Sequence, residues 1–391
     1  MGTTLNNEAA IVGIGQTDFT KNSGVSELAL ASECVRKAID DAGIEPSDVD
    51  GITGFQLDSN DEIEVARSVG CGDLTFFSKI GYGGGAATSI VHQAAMAVAT
   101  GTSKYVVAFR ALNGRSGQRY SDGVSGDIIT SDLIHWSWYM PWGLLTPASW
   151  VAMFTQRYMH DFGAKPEDLA EVAIATRDHA VNNPKAFFHK RPLSMDEYMN
   201  ARFICEPLRL YDCCQETDGG CAVVVTTPER ARDLPQKAAV IRGIAQASGD
   251  DQEQMTSFYR PQISNIPEME LVGKQIWEQS GLSASDMDAA IIYDAFTSIV
   301  LMQLESFGFC GPGEAKDFVK DGALSAKGGQ LPTNTHGGQL SEAYIHGVNG
   351  ILEGTRLIRG TSTNQPEKND HVLVTSGVGV PTSAMILGQA D

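Results

Sequence analysis

Short unbroken apolar runs alternate along the chain with longer stretches that are apolar on one side only. Ala9-Ala10-Ile11-Val12-Gly13-Ile14-Gly15 reads as a buried strand. Ser26-Glu27-Leu28-Ala29-Leu30-Ala31 opens a helix that runs to about Ala42, with Gly43 as its stop. A turn from Ile44 to Asp50 leads into Gly51-Ile52-Thr53-Gly54-Phe55, the next strand. The order then returns. Ala239-Val240-Ile241-Arg242-Gly243-Ile244-Ala245-Gln246 echoes the first strand, and Ser280-Gly281-Leu282-Ser283-Ala284-Ser285-Asp286-Met287-Asp288 echoes the turn. Gly43, Asp48 and Asp50 recur as Gly281, Asp286 and Asp288 at one constant offset. Strand–helix–strand units repeated in order predict a duplicated α/β fold, with halves at 1–235 and 236–391.

Between the repeats, Gly83-Gly84-Gly85 enters a helix of small residues that ends at Gly101. A glycine-rich helix start is a candidate anion or oxyanion site. No Gly-Lys-Ser/Thr follows, so it is not a phosphate loop. Lys104-Tyr105-Val106-Val107-Ala108-Phe109 reads as a central strand. From about 113 to 232 an inserted lobe interrupts the repeat, with helices from Pro147 to Phe162 and from Pro166 to Asn182. Trp136, Trp138, Trp142 and Trp150 fall in this lobe, in a stretch from His135 that suits a packed lobe core better than a ligand or partner contact. Asp218 to Thr226 is a strand returning to the first half. Ile291 to Phe296 ends a strand with Tyr293 and Asp294 at its mouth, where α/β folds place reactive groups. A closing strand, His371 to Thr375, leads into Ser376-Gly377-Val378-Gly379.

Composition narrows the partners. The 391 residues carry a net charge of −19, which argues against nucleic acid or an anionic membrane surface but allows a CoA thioester in a local basic pocket. Seven cysteines at irregular spacing suggest neither a disulfide framework nor a zinc site, and Cys213-Cys214 is expected buried and reduced. The N-terminus has no basic segment followed by an apolar run, and no stretch reaches about 18 apolar residues. The expectation is a cytoplasmic protein without a membrane span or metal.

The densest chemistry lies at Asn334–Gly350. His336, Glu342, Tyr344 and His346 fall within eleven residues, behind the Gly337-Gly338 pair, and an apolar-faced helix follows to a stop at Gly360. By local chemistry alone, an ordinary glycine-rich turn explains this stretch as well as an active site does.

Taken in order, these pieces resemble the thiolase superfamily over nearly the whole chain. Thiolases carry a nucleophilic Cys at the start of the small-residue helix, then Asn-Glu-Ala-Phe, then Gly-Gly with Gly-His-Pro, and a Cys before a final glycine loop. Here Gly84 stands at the nucleophile position, Tyr293-Asp294-Ala295-Phe296 at Asn-Glu-Ala-Phe, Ala343-Tyr344-Ile345 at Gly-His-Pro, and Ser376, or Thr375 beside it, at the second Cys. The scaffold is kept and every chemical group is replaced. Without the thiol no acyl-enzyme can form, so thiolysis is excluded. The strings Gly337–Gly347, Asn182-Asn183-Pro184 and Asn113-Gly114-Arg115-Ser116 resemble the lipid-transfer-protein branch and, within it, the bacterial steroid side-chain aldolases.

That resemblance implies a five-layered αβαβα thiolase fold with an inserted lobe. It also implies retro-aldol cleavage of a β-hydroxyacyl-CoA steroid side chain, yielding a ring ketone and propionyl-CoA or a similar short acyl-CoA. Tyr293 and Tyr344 would share the acid and base roles, with His336, His346 and Asp294 as neighbours that tune phenols whose ordinary pKa is about 10. Backbone groups at Gly84, Gly85, Gly337 and Gly338, with Ser376, would bind substrate or hold the enolate oxygen. No cofactor is expected beyond the substrate's CoA. The resemblance further implies a homodimer, with 104–109 as its candidate edge strand, and a small OB-fold partner associated with an enoyl-CoA hydratase in a two-plus-two complex. A non-catalytic acyl-CoA or lipid carrier, or a scaffold subunit, is the competing reading.

Overall fold

The computed structural model describes residues 5–81, 83–117, 119–122, 138–250, 257–377 and 382–390. Trp136, His135 and the Val378-Gly379 loop lie outside them. The first half runs β1 (Ala10–Gln16), α1 (Glu27–Ala42), β2 (Gly51–Phe55), α2 (Glu62–Val69), β3 (Phe76–Ile80), α3 (Ala86–Ala99) and β4 (Val106–Asn113). The lobe follows with α4 (Pro147–Phe162), α5 (Pro166–Asn182), α6 (Met195–Met199) and the short pair β5 (Phe203–Cys205) and β6 (Leu208–Arg209). Strand β7 (Asp218–Thr226) and α7 (Pro228–Ala231) close this half. The second half runs β8 (Ala239–Ala247), α8 (Pro267–Ser280), β9 (Ala289–Ile291), α9 (Thr297–Ser306), α10 (Ala315–Phe318), α11 (Val348–Arg359), β10 (His371–Ser376) and β11 (Thr382–Gln389).

The duplication is visible in the sheet, ordered β3-β2-β4-β7-β1-β8-β11-β10-β9. Outward from the central β1–β8 pair, each half reads antiparallel, antiparallel, then parallel. The repeated residues do repeated work. Gly43 and Gly281 end α1 and α8 in the left-handed conformation, at φ 71° and 69°. Asp50 accepts from the backbone of Lys104 and Tyr105 just before β4, and Asp288 accepts from Asp370 and His371 at the start of β10.

Helices α3 and α11 lie between the two halves of the sheet, and each touches strands of both. One apolar core surrounds them, a second lies under α1 and α2, and a third lies under α8, α9 and the lobe helices. These are the five layers. The small residues of α3 permit its two-sided burial: Ala86, Ala87, Ile90, Val91, Ala94 and Ala95 are all sealed. The lobe packs on the second half, where Thr155 and Ser298 hydroxyls pair at 2.7 Å and Tyr158 hydrogen-bonds Glu305.

Two expectations are corrected. Residues 104–109 do not form a sheet edge, because β4 lies between β2 and β7 and all of Val106–Phe109 is buried; its apolar run reflects cover on both faces. The outer strands among the described residues are β3 and β9. The lobe tryptophans do not form one core. Trp150 is buried, with its indole N–H donating to the Leu144 carbonyl at 2.6 Å, whereas Trp138 and Trp142 are 74% and 79% exposed in and beside the turn before α4. All seven cysteines are free, with Cys213 and Cys214 half-buried. No helix of the described residues is long and apolar enough to cross a membrane.

Candidate active site

Tyr293 sits just past β9 on a tightly held main chain. Its N–H donates to Thr375 Oγ1 at 2.9 Å, its carbonyl accepts from Gln303 Nε2 at 2.7 Å, and Thr375 Oγ1 donates to Gln303 Oε1 at 2.6 Å. This triangle ties the tyrosine to β10 and α9. The ring extends between two glycines. A Cβ at Gly84 would overlap the Tyr293 hydroxyl, and one at Gly347 would come within 3.0 Å of the ring. The volume a nucleophilic side chain would need at position 84 is therefore filled by a phenol.

Tyr344 meets it from the loop before α11. Its N–H donates to Thr217 Oγ1 at 2.9 Å, and its hydroxyl lies 3.1 Å from that of Tyr293. Two residues on, His346 has a left-handed backbone (φ 49°), uncommon outside glycine. Its ring lies 4.8 Å from Tyr344 and stacks on Phe55 at 5.8 Å, centroid to centroid. His346 Nδ1 accepts from Arg110 Nε at 3.1 Å, and Arg110 forms a buried ion pair with Asp58. Burial and the Arg110 charge hold the His346 pKa well below the usual imidazole range, so the ring is neutral.

The turn into α3 is clamped from the second half. Ser376 Oγ donates to the Gly84 carbonyl at 2.7 Å and accepts from Thr88 N–H at 3.3 Å; Ser383 Oγ donates to the Gly85 carbonyl at 2.7 Å. Because a trans peptide sets N–H opposite to C=O, the Gly85 N–H points away from Ser376. Ser376 thus orients the glycine turn.

The remaining expected residues gather elsewhere. Asp294 follows Tyr293 in sequence, yet its carboxylate turns the other way. It accepts from Gln339 N–H at 2.7 Å and Leu340 N–H at 3.4 Å, anchoring a single π-helical turn, Gly338–Glu342. Burial raises its pKa to about 7. The glycine pair is explained by packing: Gly338 abuts Asp294, and a Cβ at Gly337 would lie 2.6 Å from that of Ala180 on α5. His336 is 3.8 Å from Glu342, among groups that bind one another rather than the phenols. Glu342 accepts from Asn183 at 3.0 Å and Asn349 at 2.9 Å, and Glu353 accepts from Thr335 at 2.6 Å and Ser362 at 2.5 Å. Burial lowers the His336 pKa to about 4 and raises that of Glu342 to about 7. Of the expected residues, the geometry joins Tyr293, Tyr344, His346 and Gly84, with Gly85 and Ser376 shaping the floor. It separates His336, Asp294, Gly337 and Gly338 into supporting roles.

Asp58, Arg110, Thr217 and Gln303 escape a reading by spacing, since each reaches the site across a large sequence separation. One signal was present: an arginine inside the apolar strand Val106–Leu112 must find a buried partner.

Comparison with known proteins agrees with the fold. Residues 9–229 match the family described as thiolase, N-terminal domain, and residues 249–389 match the thiolase C-terminal domain-like family. The chain is 59% identical to a steroid side-chain-cleaving aldolase of Thermomonospora curvata over 382 residues, covering 97% of each chain. It is 56% identical to a 17-hydroxy-3-oxo-4-pregnene-20-carboxyl-CoA lyase of Mycobacterium tuberculosis over 386 residues, 98% of this chain and 100% of that one. A solved structure described as Ltp2-ChsH2(DUF35) aldolase superposes with a TM-score of 0.95 at 58% identity, covering 99% of both chains. An acetyl-CoA acetyltransferase from Syntrophomonas wolfei, 15% identical with a TM-score of 0.70, shares the fold alone. The chain belongs to the thiolase superfamily and, within it, to the family of the steroid side-chain-cleaving aldolases.

Proposed function

We propose that the protein is a carbon–carbon lyase that cleaves the side chain of a steroid β-hydroxyacyl-CoA by a retro-aldol reaction. The observation that carries this reading is the pair of phenol oxygens 3.1 Å apart over Gly84. The reaction needs a group to take the alcohol proton and a group to return a proton to carbon. One phenol oxygen takes the alcohol proton as its own proton passes to the second phenol 3.1 Å away, and the second phenol's proton is the one given to the α-carbon. The bond between the ring carbon and the α-carbon then breaks, the ring carbon becomes a ketone, and the electron pair passes into the thioester as an enolate. Proton return to the α-carbon gives the short acyl-CoA, propionyl-CoA for a three-carbon fragment. The Gly85 N–H is the oxyanion donor this reading favours, and Arg110 brings a positive charge one imidazole away from Tyr344. The chemistry requires no resident cofactor beyond the CoA of the substrate.

The relative solved with ChsH2(DUF35) supports a partner of that class for this chain, here a small OB-fold protein associated with an enoyl-CoA hydratase. We take the working unit to be a cytoplasmic homodimer carrying two such partners. Strand β3, an outer strand with Phe77 62% exposed, replaces 104–109 as the candidate dimer edge. The test is incubation of the chain, with its partner, with a β-hydroxyacyl-CoA bearing a tertiary alcohol. Equimolar ketone and short acyl-CoA is the expected result. Tight binding without products would leave a carrier and end the lyase reading.

A further inference from the structure

Arg110 is buried in the middle of the fold, and its guanidinium carries donors and no acceptor. Its 3.1 Å contact with His346 therefore has one polarity: Arg110 Nε–H donates and His346 Nδ1 offers a lone pair. A neutral imidazole with an occupied lone pair on Nδ1 carries its proton on Nε2. Asp58 neutralises the arginine at a depth where a lone cation would be costly. The Phe55 ring contacts both partners, with the Arg110 guanidinium 4.8 Å from its centroid and His346 stacked on it. The left-handed backbone at His346 is one the chain rarely adopts unaided, so the ring's direction depends on these contacts. Nε2 lies 3.5 Å from where a Cβ on Gly83 would stand, beside the Gly84 wall that meets the Tyr293 hydroxyl.

We propose that the Asp58–Arg110 pair is the positioning element of this site: it fixes His346 as the Nε2–H tautomer and holds that ring against Tyr344. His346 is then a hydrogen-bond donor on the Gly83 side, and the base role falls to the phenols. The effect on turnover rests on the retro-aldol reading; the tautomer does not.

Two measurements separate these. In protein labelled with ¹⁵N-histidine, the signal that disappears in His346→Gln should show a protonated Nε2 and an unprotonated Nδ1; the opposite tautomer overturns the proposal. Arg110→Lys keeps the charge facing Asp58 but removes the Nε donor. It should lower kcat roughly 10- to 100-fold, as loss of an orienting partner does for ligating histidines, with KM and melting temperature nearly unchanged and the His346 signal shifted toward mixed tautomers. Unchanged kcat and unchanged tautomer would overturn it. Should that variant fold poorly, Asp58→Leu with Arg110→Met removes both charges without stranding either. A stable double variant with full kcat would make the pair merely structural and also overturn the proposal. A correct tautomer in wild-type protein that forms no products would count against the lyase reading alone.

Discussion

The stretch from His336 to Gly347 supplies two buried imidazoles that do opposite things. At its start, His336 lies in a closed polar cluster: Glu342 beside it accepts from Asn183 and Asn349, and Glu353 accepts from Thr335 and Ser362. At its end, His346 backs a phenol pair that faces a glycine wall with room for no other side chain. Both clusters hold strongly shifted groups, so perturbed acidity alone does not separate them. Shape does. One cluster joins α5, the π-helical turn and α11 into a frame, and the other stands where the superfamily would place its nucleophile.

Removing a phenol oxygen tests that contrast most severely. Tyr344→Phe and Tyr293→Phe should each lower kcat by roughly 10²–10⁴, the range for lost general acid–base help, while the melting temperature stays close to wild type. Near-normal turnover in both would dissolve the distinction between the clusters.

Next in size is Gly84→Ala. The added methyl overlaps the Tyr293 hydroxyl, so the ring must move. A displacement near 1 Å at reacting groups can cost roughly 10²-fold in rate. The prediction is a large fall in kcat with the fold intact, and a crystal structure showing the Tyr293–Tyr344 distance lengthened. Full activity would mean the phenols need no fixed spacing.

What the chain disclosed in advance follows from how each feature is encoded. Gly43 and Gly281, with Asp48 and Asp286, act within a few residues of themselves, so the turns were legible, whereas Asp50 and Asp288 showed the duplication only as repeated letters, their partners Lys104 and Asp370 lying far along the chain. The bounds of α4 and α5 were legible because Thr146 caps one helix start, proline opens both, and Gly163 ends the first. Tyr293 at a strand mouth and Tyr344 in a polar loop were each visible, but their pairing was legible only through resemblance, because nothing local marks them as facing each other across 51 residues. Position 294 misled because succession in sequence suggests proximity, whereas successive side chains beyond a strand point to opposite sides. Residues 104–109 misled because an apolar run looks the same in a covered central strand and in an edge awaiting a partner.

The smallest effect on rate should come from the closed cluster, where the effect belongs to stability instead. Burial raises the Glu342 pKa from 4.5 to about 7, so the folded state favours the protonated acid. Its contribution to stability is full below pH 4.5, declines as the unfolded chain ionises, and is lost by about pH 7. His336 acts in reverse: its pKa falls from 6.5 to about 4, so its contribution is full above pH 6.5 and is lost as pH drops toward 4. The two oppose each other between pH 4.5 and 6.5. Glu342→Gln removes the first term and leaves the second. The stability difference, variant minus wild type, should therefore rise from pH 5 to pH 7 by up to about 3 kcal/mol, at roughly 1.4 kcal/mol per pKa unit. Denaturant titrations at each pH measure it. Turnover at pH 7 should stay within about threefold, because the carboxyl touches Asn183 and Asn349 rather than the phenols. Parallel stability curves would show that Glu342 ionises freely in the folded protein. A rate loss as deep as that of Tyr344→Phe would move Glu342 from the frame into the reaction.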